Sequence, residues 1–192
     1  SMGLDWTDTP FALFTARTLR FNRGIAMADK QSLTSEEWTK LLESPMIAGM
    51  AVSAAEPSGL WGALKEAFAS SSALVAAKTD PSSSKLIKVL VSDFETSEGR
   101  SEIKEALRKR FAGAKPADVV QRSLSSLEEV SRLLETKAPN EAAAFKAWLQ
   151  GISQNVAEAS KEGGFLGFGG VQVTDAEKAT LADIHRTLGV TA

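Results

Sequence analysis

The sequence predicts an all-α protein, a single compact bundle of about seven helices. Three observations lead there. From residue 33 onward apolar residues recur at three- and four-residue spacing, helix-start chemistry introduces one segment after another, and almost no alternating, strand-like pattern separates them.

The first helix is expected at Thr34-x-x-Glu37, a capping box in which the hydroxyl takes an unpaired N–H and the carboxylate reaches back to the cap. Trp38, Leu41, Leu42, Pro45, Met46 and Gly49 then share one helical face. Ser44-Pro45 falls inside it, and proline inside a helix predicts a kink or a restart. The run AGMAVSAA that follows is small enough to let a neighbouring helix come close. Pro57-Ser58 begins the next helix, with Leu60, Trp61, Leu64, Phe68, Ser71 and Val75 inward, and Asp80-Pro81 breaks it.

A shorter helix from about Ser83 carries Leu86, Ile87, Leu90, Val91 and Phe94. Another from about Ser97 carries Ile103, Leu107 and Phe111 and ends at Gly113, a left-handed cap. Pro116 opens a longer one, with Val120, Leu124, Leu127, Val130 and Leu134 inward. Ala138-Pro139 separates it from the clearest amphipathic stretch, Phe145, Trp148, Leu149, Ile152, Val156 and Ala159, and so short a connection predicts an antiparallel helical hairpin. Thr174-x-x-Glu177 is a second capping box, Leu181, Ile184 and Leu188 form the last buried stripe, and Gly189 closes it.

At 192 residues the chain suits one domain with a sizeable core. Apolar residues at 43% and charged residues at 24% argue against disorder, and a net charge of −2 gives no global pull toward nucleic acid or anionic lipid. No apolar run reaches the ~20 residues of a membrane span. The absence of cysteine removes disulfides, thiolate nucleophiles and zinc–thiolate sites, and a reducing cytoplasm fits it. Residues 1–26 read as an extension outside the core: Ser1-Met2 as a cloning scar, and residues 3–26 as an aperiodic, arginine-bearing stretch ahead of Met27, the expected start of the domain spanning 27–192. A transit peptide is the competing reading, which Asp5 and Asp8 disfavour.

Little in the chain resembles a catalytic site. His185 is the only histidine, and Ala182 stands three residues before it, so the Glu-x-x-His pairs of a di-iron bundle are missing. No Gly-x-Ser-x-Gly elbow is present, and helical geometry places His185 at the edge of the apolar face. Neither a metal nor a cofactor is expected. Arg100, Lys104 and Arg108 step at i+4 and form a candidate anion patch, but Glu102 and Glu105 interleave and the stems border Leu107 and Phe111, as on a solvated face. Trp38, Trp61 and Trp148 lie in apolar stripes and read as core.

The segment GGFLGFGG sets Phe165, Leu166 and Phe168 among Gly164, Gly167 and Gly169. It lacks the lysine of a phosphate loop and follows no strand. Its three large side chains either plug a bundle end or meet a partner, because exposed apolar clusters are rare on monomers. Together AAEPSGLWG, FETSEGR and EGGFLGFGGVQVTDAEKATL resemble a family of bacterial proteins with no assigned function; the resemblance covers Met27 to Gly189 and implies a helical fold but no activity.

The expected function is therefore non-enzymatic contact with a protein partner, a second copy of the chain included, without nucleic acid. The alternative is a binder of a small apolar or amphiphilic ligand between helices, lined by Met46, Met50, Trp61 and Phe68.

Overall fold

The computed structural model of the chain describes residues 32–55, 72–80, 83–162 and 173–189. Chain contacts group Ser35–Ala192 into one unit, apart from Ser1–Thr34. Among the described residues there are seven helices and no strand, and the helices pack into an all-α bundle. None of them is long and apolar enough to cross a membrane.

Helix α1, Ser35–Ala54, is the centre of the bundle. It begins directly after Thr34, where the capping box puts it. Beyond Lys40 every residue is buried up to Ala54 except Met50, and a helix buried on all sides needs the small, apolar surface that this stretch supplies. It packs most extensively on α5, then on α6, with α4, α7 and α3 around the remainder.

The helix does not restart at Ser44-Pro45 but runs without a break through Pro45. Proline has no N–H to offer the carbonyl of Leu41. The Ser44 hydroxyl donates to that carbonyl instead, at 2.6 Å. The residue before the proline thus replaces the bond the proline removes.

Helix α2, Ser72–Thr79, packs on α3, Lys85–Phe94. Ser84 caps α3 by accepting from the Ile87 N–H at 3.2 Å, and Leu86, Ile87, Leu90 and Val91 are its buried face. A tight reversal leads to α4, Ser97–Arg110: Thr96 accepts from the Gly99 N–H at 2.9 Å. Gly99 is obligatory there, since a Cβ would stand 2.0 Å from the Asp93 carbonyl oxygen. Arg122 of the next helix donates to the carbonyls of Arg110 and Ala112 at 3.1 and 3.0 Å, satisfying groups at the end of α4.

Helix α5, Pro116–Lys137, starts at Pro116 as expected, with the Lys115 N–H donating to Asp118. Its buried face is rotated from the apolar stripe: Ser123, Ser126 and Ser131 are buried beside Leu127, Val130 and Leu134, while Val120 and Leu124 are half-buried. Helix α6, Pro139–Glu162, follows after Ala138 alone and packs back on α5, with Lys146 paired to Glu135. Phe145 and Leu149 are fully buried, and Trp148 meets Phe145 edge-on with ring centroids 5.3 Å apart.

Helix α7, Asp175–Leu188, carries the predicted reciprocal capping box, with both bonds at 3.1 Å. Gly189 closes it at φ +67°, a left-handed conformation that glycine adopts at no steric cost. The residues 1–31 and the GGFLGFGG segment lie outside the described residues.

Candidate functional site

The residues singled out by sequence are scattered by the fold. Arg100 donates to the Glu95 carbonyl at 2.5 Å, around the α3–α4 reversal. Arg108 forms a two-point pair with Glu105, at 3.1 and 2.8 Å, which pulls the Glu105 carboxyl below its ordinary range and raises the guanidinium. Lys104 between them is exposed. Two of the three bases of the anion patch are thus committed to partners on their own surface. Met46 is buried in the core and Met50 is half-buried. Trp61 and Phe68, the other walls of the expected ligand pocket, lie outside the described residues, as do Gly164, Phe165, Leu166, Gly167, Phe168 and Gly169. His185 is half-buried on α7.

A different site emerges between the first half of α1 and the second half of α4. A cleft of about 560 Å³ opens there, walled by Thr39, Lys40 and Glu43 on one side and by Glu102, Glu105, Lys109 and Arg110 on the other. At its mouth the Thr39 hydroxyl bonds both the Ser35 carbonyl, at 3.0 Å, and the Glu102 carboxylate. At its floor Glu43, whose side chain is 2% exposed, meets Arg110, 23% exposed.

The geometry of that pair is lopsided. Nε of Arg110 donates to Oε1 of Glu43 at 2.9 Å, and Nη2 donates to the same oxygen. Oε2 is buried and has no hydrogen-bond partner among the described residues. Burial therefore pushes the Glu43 carboxyl above its ordinary value. The hydrogen bond and charge of Arg110 oppose that shift without cancelling it, Glu129 adds to it, and Lys40 subtracts. Lys40 and Glu129 are themselves paired at 3.0 Å across α1 and α5.

The helix positions explain why these groups meet. Thr39 and Glu43 are one turn apart on α1, and Glu102, Ala106 and Arg110 follow the same i+4 step along α4. Two stripes of matching period can therefore zip along one seam. Trp38, next to the stripe, is anchored by its indole N–H on Asp93 at 2.6 Å, which ties α1 to the end of α3 and fixes where α4 begins.

Sequence reasoning missed Glu43, although a signal exists. Between Lys40 and Glu56 it is the only charged residue, set within a run of apolar and small side chains that must be interior. Among the described residues, no group of three or more histidine or acidic side chains is placed to hold a metal ion.

No family model, curated protein or solved structure matches this chain. The function has to be argued from the cleft itself. The cleft sets hydrogen-bond acceptors and donors from two helices around the buried carboxyl group of Glu43.

Proposed function

We propose that the chain is a non-enzymatic helical domain that works by contact with a protein, and that the α1–α4 cleft is where the contact is made. One observation carries this reading. The cleft carries fixed charges of both signs, Lys40 and Glu43 on α1 and Glu102, Glu105, Lys109 and Arg110 on α4, and complementary charge is what gives a protein contact its orientation and partner choice. The partner class includes a second copy of the chain. The reading sets the contact in the cytoplasm of a bacterium, with which a cysteine-free chain is compatible.

The test is site-specific photo-crosslinking in the source cell. A photoreactive residue at Ala106, in the cleft wall, is expected to yield a protein adduct; the same residue at Ala143, exposed on α6 away from the cleft, is not. Equal labelling at both positions, or none at either, would remove the reading.

A further inference from the structure

Glu43 leaves half of its hydrogen-bonding capacity unused. Nε and Nη2 of Arg110 converge on Oε1, and Oε2 is buried without a donor among the described residues. A carboxylate oxygen withdrawn from water is costly unless a donor reaches it. The nearby cations are engaged elsewhere: Lys40 with Glu129 at 3.0 Å, and Lys109 with Glu105 at 3.9 Å. With Glu36 at its edge, the cleft is lined by the carboxylates of Glu36, Glu43, Glu102 and Glu105 against the bases Lys40, Lys109 and Arg110, so its residual charge is negative.

We propose that the cleft receives an arginine side chain from the protein partner, which donates to Oε2 of Glu43. The proposal rests on the contact reading above and names its chemistry. Arginine suits the position better than lysine. Its planar fork of N–H groups sheds water more readily than an ammonium and can bond Oε2 of Glu43 and the Glu102 carboxylate at the mouth. Arg110, the more exposed member of the buried pair, keeps Oε1 while the incoming guanidinium takes the second oxygen.

The experiment is a titration of the isotope-labelled full chain with acetyl-tri-arginine amide, read by amide chemical shifts. Saturable shifts are expected at Thr39, Glu43, Ala106 and Arg110, with acetyl-tri-glutamate amide producing none. Glu43→Gln keeps the shape and removes the charge, and should weaken arginine binding about tenfold or more, the loss expected for a charged hydrogen bond. Unchanged affinity in Glu43→Gln, shifts confined to other surfaces, or binding of the acidic peptide instead would each overturn the proposal. Should Glu43→Gln fail to fold, Arg110→Ala supplies the second measurement. Methylguanidinium chloride at millimolar concentration should raise the melting temperature of the wild type through Oε2 and that of Arg110→Ala through both oxygens, and no rise in either would overturn the proposal. The two readings fail separately: protein adducts at Ala106 without arginine binding remove the arginine but leave the contact, whereas arginine binding without adducts keeps the Glu43 chemistry and removes the contact.

Discussion

Along one helix, α1, two seams are built on opposite principles. Where α1 meets α6, the side chains are small: a Cβ on Gly49 would lie 3.4 Å from Val156, and the buried Ser153 hydroxyl donates directly to the Ala48 carbonyl at 2.9 Å. Where α1 meets α4, the side chains are long and charged, and Glu43, Arg110, Thr39 and Glu102 hold the helices through their tips. Small residues let backbones touch and leave no room. Long polar ones act as spacers and leave a cleft. The same helix therefore supplies both a close-packed seam and one side of a cleft open at the surface.

The comparison breaks most completely if the ionic seam loses its cation. Arg110→Ala leaves the Glu43 carboxylate buried without its partner, a change that costs about 3–5 kcal/mol in comparable sites. Urea unfolding at neutral pH should show the loss, and mild acid should recover part of it as Glu43 takes up a proton. A loss under 1 kcal/mol would mean that the pair is solvated and that the seam does not bear on the core.

At the dry seam, Gly49→Leu should cost about 1–3 kcal/mol by overpacking against Val156. Gly49→Ala is the control. Its Cβ makes only an ordinary contact, and the gain in helix propensity, about 0.8–1 kcal/mol, offsets the crowding. If leucine is tolerated as well as alanine, α1 and α6 are less closely packed than the geometry states.

How much of this could be read from the sequence depends on how local each feature is. The start at Pro116, the capping box at Thr174 and the cap at Gly189 were all legible, because each is set by residues within one turn of it. The passage of α1 through Pro45 was not, because the compensating bond comes from a serine whose hydroxyl choice the pattern does not reveal. The inward face of α5 was legible at Leu127, Val130 and Leu134 but not at Ser123 and Ser126, buried small polar residues that a reading of apolar spacing passes over. The cleft was missed because Glu43 and Arg110 are 67 positions apart, and attention to basic spacing favoured Arg100, Lys104 and Arg108, which the fold leaves on the surface.

A smaller effect sharpens the dry seam. Ser153→Ala removes one buried hydrogen bond between α6 and α1, while the Ala48 carbonyl keeps its place in the α1 ladder. Calorimetry should show a loss of about 1 kcal/mol. A gain would mean that the hydroxyl is a burden the seam tolerates rather than a tie that sets its distance.

The finest distinction between the seams is their response to pH, since only the ionic one contains a buried titrating group. Burial raises the Glu43 carboxyl above its ordinary value of 4.5, outweighing Arg110. The folded state then holds this proton more tightly than the unfolded chain does. The stability that this contributes is fully present below the unfolded value and is lost as pH rises through the folded one. Exposed Glu105 is shifted the opposite way, but solvent screens it, and it is common to both proteins in the comparison that matters. That comparison is wild type against Glu43→Gln, whose amide cannot titrate. The difference in unfolding free energy, wild type minus variant, should rise as pH is lowered through the window between the raised folded value and 4.5, and be flat on either side. Urea melts across that range measure it directly. The opposite slope would show that Arg110, not burial, governs the carboxyl. Glu43 would then be held as a stable ion by its own chain, with its charge already answered before any partner arrives.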